Sequence, residues 1–206
     1  MLLKDSLKLY IIIDKGLIGK RSEIKIASEV IGGGATTIQL RDKHSSARQL
    51  TKIGRELRKL TKKYNVNFII NDRLDIALAV DADGIHLGQE DLPLKFARKL
   101  APKKIIGIST HSFIEARKAE QEGADYIALG PIFKTFSKLT GPPVGVKIIN
   151  RLKKSLNIPL VAIGGINTAN IENVKSQKPD GIAIASAVLK NKNIKQATLK
   201  IAKLLN

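Results

Sequence analysis

Gln39, Arg41 and Lys43 alternate with Leu40 and Asp42 in the run QLRDK. If the chain is extended there, alternate side chains lie on one side. Gln39, Arg41 and Lys43 then share a face, while Ile38 and Leu40 point to the other. On an inward face, unpaired charges of this kind cost several kcal/mol. An anion such as diphosphate satisfies them, because arginine offers a fork of donors and lysine a point charge. The alternative is an Arg–Lys pair turned to solvent beside Asp42.

Two carboxylates come next, in Asn71-Asp72-Arg73 and in His86-Leu87-Gly88-Gln89-Glu90-Asp91. On adjacent loops Asp72 and Asp91 face each other. At about 4 Å and an effective dielectric near 20 their repulsion is about 4 kcal/mol. With no cysteine in the chain and only hard oxygen donors on offer, Mg2+ is the natural counter-charge. That ion commonly takes one or two carboxylates together with substrate phosphates. The competing reading is that each aspartate caps the helix after it.

Further along, Ser109 can bond a substrate amine or phosphate, or cap a helix. The run Gly130 to Lys138 carries Thr135, Ser137 and Lys138, which suit phosphate or diphosphate binding on a loop long enough to act as a lid. Gly164-Gly165 and Ala185-Ser186 suit a phosphate held by backbone N–H groups, with glycine allowing close approach. Of the three histidines, His44, His86 and His111, none shows metal-ligand spacing. His86 and His111 read as structural or supporting residues.

These positions fall where eight strand–helix units would place them. Apolar runs predict strands at Leu9–Ile13, Thr36–Leu40, Val66–Ile70, Gly84–Leu87, Lys104–Ile108, Tyr126–Leu129, Leu160–Ile163 and Gly181–Ile184. Helices are predicted between them. One is Ser45–Tyr64, with Leu50, Ile53, Leu57 and Leu60 on one face. Another starts at Pro93, a third at Ser112 as N-cap, and a fourth at Asn167 or Thr168. Gly32-Gly33-Gly34 is expected to end the first helix through a left-handed C-cap. Alternating units of this kind imply parallel pairing with right-handed crossovers. Eight of them close best into a (β/α)8 TIM barrel, a single domain over residues 1–206. No GxGxxG follows the first strand, which argues against a dinucleotide-binding sheet. In a barrel of this kind the active site lies at the C-terminal ends of the strands, where the polar runs above all fall.

Composition narrows the function class. Hydrophobic residues make up 43% of the 206, enough for a substantial core. The absence of cysteine excludes disulfides and thiolate metal sites and fits a reducing cytoplasm. The N-terminus lacks a signal-peptide pattern, and no run approaches the roughly 20 apolar residues of a membrane span. The expectation is a soluble, cytoplasmic protein without a membrane partner. The net charge of +18 suggests nucleic-acid binding or a lysine-rich solvated surface. Aromatics at 4% leave few stacking side chains for single strands, so no nucleic-acid partner is expected. A homo-oligomer is compatible with the sequence, which does not set the oligomeric state.

The ordered set of motifs resembles the thiamine-phosphate synthase family. It comprises QLRDK, INDRLDIAL from Ile70, DGIHLGQEDLP from Asp83 and GIST from Gly107. GADYIALGPIFKT from Gly123, Ser137-Lys138 and AIGGI from Ala162 complete it. The resemblance covers nearly the whole chain. It implies an enzyme of thiamine biosynthesis that condenses an aminopyrimidine diphosphate with a thiazole phosphate and releases diphosphate. It also implies roles. Gln39, Arg41, Lys43 and Asn71 would hold the pyrimidine diphosphate, and Asp72 and Asp91 would hold Mg2+. Ser109 and Lys138 would contact the pyrimidine substrate, Lys138 through its diphosphate, and these two are the catalytic candidates. Thr135 and Ser137 would contact the thiazole, and Gly165, Ala185 and Ser186 its phosphate. Ser137 replaces an expected threonine and keeps the hydroxyl, while Ala185 replaces a larger aliphatic. Thiazole tautomerases resemble these barrels but lack the diphosphate-binding set. They and a basic nucleic-acid binder are the alternatives.

Overall fold

A computed structural model of the chain describes residues 3–135 and 141–205. Eight parallel strands close into a barrel in sequence order. They are β1 (Leu9–Asp14), β2 (Thr37–Arg41), β3 (Asn67–Asn71), β4 (Gly84–Leu87), β5 (Ile105–Thr110), β6 (Tyr126–Leu129), β7 (Leu160–Ile163) and β8 (Gly181–Ile184). The helices are α1 (Leu3–Ser6), α2 (Lys15–Ile18), α3 (Glu23–Gly32), α4 (Ala47–Tyr64), α5 (Leu74–Ala79), α6 (Leu94–Leu100), α7 (Phe113–Gln121), α8 (Lys147–Lys153), α9 (Ile171–Lys175), α10 (Ser186–Leu189) and α11 (Ile194–Leu205).

The two-residue period of each strand divides the core into two layers. Leu9, Ile11 and Ile13 of β1, with Ile38 and Leu40 of β2, pack outward against helix residues such as Ile26, Val30 and Leu57. Tyr10 and Ile12 point inward and meet Ile69, Tyr126, Val161 and Ala183 inside the barrel. Large inner residues need small neighbours. A Cβ on Gly107 would lie 2.0 Å from Cζ of the Tyr126 ring, and one on Gly84 would lie 2.2 Å from the Ile105 carbonyl oxygen. Gly107→Ala is therefore expected to destabilise the fold by about 1–3 kcal/mol through overpacking. Urea unfolding measures this, and an unshifted midpoint would show that the Tyr126 ring moves aside freely.

The N-terminal end of the barrel repeats one device. The aspartate just before a strand accepts a hydrogen bond from a backbone N–H at the start of the preceding strand and forms an ion pair with the helix that leads into that preceding strand. Asp83 takes Phe68 N–H at 2.8 Å and Arg58 at 2.8 Å. Asp125 takes Ile106 N–H at 2.7 Å and Arg98 at 2.5 Å. Asp180 takes Leu160 N–H at 2.8 Å and Lys153 at 2.5 Å. These three carboxylates hold the scaffold at the face opposite the one where chemistry is expected.

Several expected boundaries shift. β2, β3 and β5 run past their apolar residues to include Arg41, Asn71, Ser109 and Thr110. Ser22 and Ser46 cap α3 and α4, the latter in a reciprocal capping box with Gln49. Ser112 caps α7 as expected. Gly33 at the C-cap of α3 is right-handed, and the positive φ of 99° falls on Gly34 instead. Helix α9 begins at Ile171, so neither Asn167 nor Thr168 caps it. Asn167 instead closes a turn by accepting from Ala169 N–H. Two helices, α10 and α11, follow β8. No helix among the described residues is long and apolar enough to cross a membrane.

Candidate active site

The inward positions at the C-terminal ends of the strands carry the polar residues. Neighbouring strands pair Ile12 with Gln39 and Asp14 with Arg41, then Asn71 with His86, His86 with Gly107, and Gly107 with Tyr126. An open cavity lies at this mouth. Asp14, Arg41, Ser109, Thr135, Gly165 and Ser186 are among the residues that line it.

Gln39 is buried and donates through Nε2 to the Tyr10 hydroxyl at 2.7 Å. Arg41 is inward, as the alternation requires, but it is not without a counter-charge: it forms an ion pair with Asp14. Asp14 also accepts the Gly16 N–H at 2.8 Å and so caps α2. The sequence reading passed over Asp14 because it ends an apolar run. Alternation from Tyr10 through Ile12 was the available signal that it turns inward.

Lys43 reaches Asp72, with 3.3 Å between its Nζ and Oδ2. Asp72 therefore has a basic partner of its own. Nor does Asp72 cap a helix: α5 begins after Arg73 with no side-chain cap. Asp72 stands in a tight turn, at φ 60°, with Arg73 N–H donating to the Asn71 carbonyl at 2.7 Å. Such a backbone state in a non-glycine residue costs of the order of 1–3 kcal/mol and tends to cluster at functional sites. The turn brings Asp72 against Asp91. Burial raises the Asp72 carboxyl above its ordinary range, contact with Asp91 raises it further, and Lys43 opposes both. Asp91 also accepts the Gly88 N–H at 2.6 Å, and α6 begins after Pro93 without a side-chain cap. The helix-capping alternative therefore describes neither aspartate. Two carboxylates held together against their own repulsion, with oxygen donors alone, fit a divalent cation of the Mg2+ type. Among the described residues no group of three or more potential metal-ligating side chains exists, so substrate or water must complete any such shell.

Ser109 lies within β5 and caps nothing. Its hydroxyl meets His86 Nε2 at 2.9 Å, and its carbonyl accepts from Gln89 Nε2 at 2.5 Å. His86 is buried, with Nδ1 3.0 Å from the Tyr126 hydroxyl. It has the supporting role expected of it. His111 pairs with Glu115 at 3.0 Å, on the rim. Tyr10 and Tyr126 carried no functional signal in the sequence, since each is one aromatic in an apolar strand.

On the far side of the mouth, the loops after β6 and β7 interlock. Ile132 N–H and Phe133 N–H donate to the Ile163 and Gly164 carbonyls at 2.9 and 3.0 Å. Gly164 and Gly165 have φ of 98° and 69°, and the Gly165 carbonyl accepts from Asn170 Nδ2 at 3.0 Å. Thr135, Ala185 and Ser186 line the cavity beside them. Ser137 and Lys138 lie outside the described residues.

The fold agrees with the comparisons. The family described as thiamine monophosphate synthase matches residues 9–188. The thiamine-phosphate synthase of Methanospirillum hungatei is 49% identical over 199 residues, covering 96% of this chain and 97% of that protein. The one from Pyrococcus abyssi is 42% identical over 202 residues, covering 98% and 96%. The solved thiamine phosphate pyrophosphorylase of Pyrococcus furiosus superposes with a TM-score of 0.93 at 42% identity, covering 99% of this chain and 98% of its own. A pyrophosphorylase from Bacteroides thetaiotaomicron, 18% identical with a TM-score of 0.69, shares the barrel. By extent of match, identity and structure alike, this chain belongs to the thiamine monophosphate synthase family.

Proposed function

We propose that the chain is a Mg2+-dependent thiamine-phosphate synthase, joining 4-amino-2-methyl-5-(diphosphooxymethyl)pyrimidine to a thiazole phosphate. The observation that carries this reading is the presence of two separate groups of residues suited to anions at one barrel mouth. On one side stand Lys43, Asp72 and Asp91, with Arg41 on β2 beside them. On the other stand the backbone of Gly164 and Gly165 and the start of α10 at Ser186.

The bond between the pyrimidine methylene carbon and its oxygen breaks, and diphosphate leaves with the electron pair. The thiazole nitrogen supplies its lone pair to the new carbon–nitrogen bond, so no proton need be removed from it. The demand on the protein is electrostatic: to stabilise the departing anion and orient the incoming ring. Arg41, Lys43 and Lys138 meet the first need, with Asp72 and Asp91 holding Mg2+. Bound there, the cation supplies charge to the leaving diphosphate. Asp14 keeps Arg41 extended into the mouth. Gln39, Asn71 and Ser109 bind the pyrimidine, Thr135 and Ser137 the thiazole, and Gly165, Ala185 and Ser186 its phosphate.

An assay of thiamine phosphate formation with and without Mg2+ tests the reading. Product is expected from the two substrates with the metal, with at least a tenfold loss after chelation. Isomerisation of a thiazole phosphate with no condensation would instead mark a tautomerase. Steeply salt-dependent binding of DNA or RNA without synthase activity would mark a nucleic-acid binder.

A further inference from the structure

A continuous line of polar side chains crosses the barrel interior. It runs from Gln39 Nε2 to the Tyr10 hydroxyl (2.7 Å), to the Tyr126 hydroxyl (3.0 Å), to His86 Nδ1 (3.0 Å), and from His86 Nε2 to the Ser109 hydroxyl (2.9 Å). It joins five strands, β2, β1, β6, β4 and β5, and its two ends are residues placed above against the pyrimidine substrate. Tyr10 and Tyr126 are fully enclosed, and burial holds both phenols well above their usual range, so each keeps its one hydrogen.

One hydrogen per hydroxyl gives the line a direction. An amide N–H can only donate, so Tyr10 accepts from Gln39. The Tyr10 hydrogen must then go to Tyr126, because leaving it unpaired in the interior costs about 1–3 kcal/mol. Tyr126, having accepted, donates to His86 Nδ1. A nitrogen that accepts carries no proton, so the imidazole is neutral and its hydrogen is on Nε2. That hydrogen is donated to Ser109 Oγ.

We infer that His86 is a positioning residue, held as the Nε2–H tautomer by the chain from Gln39, so that the Ser109 hydroxyl hydrogen is turned to the cavity as a donor. The ligand atom it serves must be an acceptor, and a ring nitrogen of an aminopyrimidine is one. This last step rests on the proposed synthase reading, whereas the tautomer does not.

The test has two arms. In the protein labelled with 15N-histidine, with His86 assigned by its loss in His86→Asn, wild type is expected to show an unprotonated Nδ1 and a protonated Nε2. Tyr10→Phe cuts the chain two links away and touches neither His86 nor Ser109. Tyr126 is then free to accept from His86, and a mixture of tautomers is expected. In the second arm, Tyr126→Phe keeps the ring beside Gly107 and removes the hydroxyl. The KM for the pyrimidine diphosphate should rise about fivefold to tenfold, as for one lost hydrogen bond, with the KM for the thiazole phosphate unchanged. A proton on Nδ1 in wild type, or on both nitrogens, would overturn the inference, as would an unaltered tautomer in Tyr10→Phe. So would a folded Tyr126→Phe with both KM values unchanged or raised together. If wild type forms no thiamine phosphate, the synthase reading fails, and the tautomer measurements still decide the role of His86.

Discussion

Asp72→Asn and Asp91→Asn are each expected to lower thiamine phosphate formation by about 100-fold at limiting Mg2+, the scale of losing one preorganised electrostatic contributor, while the fold becomes no weaker. The two effects have one origin. The Asp72 carboxyl is raised by burial and by Asp91, with Lys43 only partly offsetting them. A carboxylate raised in the fold is disfavoured there in its charged form. Below its unfolded value of about 3.9 both states hold the proton and no penalty exists. As pH climbs from there through the raised value, the folded protein holds more protons than the unfolded chain, and stability falls. Above that window the penalty is fully present.

Asp72→Asn removes the charge and with it the penalty. Its Tm at pH 7 without Mg2+ should equal or exceed that of wild type, despite the lost ion pair with Lys43, which is half exposed and of small worth. The decline of wild-type Tm across the acidic window should flatten in the variant. Mg2+ reverses the comparison, because a cation bound by the folded state alone stabilises it by about 2.7 kcal/mol at 100 times Kd. Wild-type Tm should rise with Mg2+ and that of both variants should not. Full activity at limiting Mg2+ in both variants, or an equal Mg2+-induced rise in Tm, would show that the pair holds no metal.

The barrel was legible in the sequence because apolar runs of four residues and their spacing reflect burial on both faces of a parallel sheet. β4, β6, β7 and β8 fall where those runs lie. The ends of β2, β3 and β5 were missed for a physical reason. An apolar run stops being visible where polar residues begin, yet at the barrel mouth the strand continues through Arg41, Asn71, Ser109 and Thr110 to aim them inward. Helices of four residues, such as α2 and α10, are too short to show a 3.6-residue period. The site separates in the same way. Alternation in QLRDK made Gln39 and Arg41 inward residues. Tyr10 and Tyr126 were hidden because they become polar partners only when β1, β4 and β6 meet across the barrel, a relation no local window contains.

Gly165→Val should separate the two anion sites. Gly165 has φ of 69°, where a β-branched residue is strained, and a Cβ there would lie 2.8 Å from the Lys134 carbonyl oxygen and from Phe133 Cβ. Backbone on one side and a packed side chain on the other leave little room to give, so the loop carrying Thr135 must shift. The valine would also stand where the proposed function brings the thiazole phosphate to the main chain. The KM for the thiazole phosphate is expected to rise at least about 30-fold, or roughly 2 kcal/mol at 1.4 kcal/mol per factor of ten. The pyrimidine diphosphate, which the proposed function assigns to Arg41 and Lys43 on the opposite side, should bind within about twofold of wild type. Lys43→Ala should give the converse, weakening the diphosphate substrate and sparing the thiazole phosphate. Separate titrations of each ligand with each variant measure the division. Equal losses of both ligands in both variants would mean that the mouth binds its substrates as one coupled site, and the assignment of Gly165 to the thiazole phosphate would fall with it.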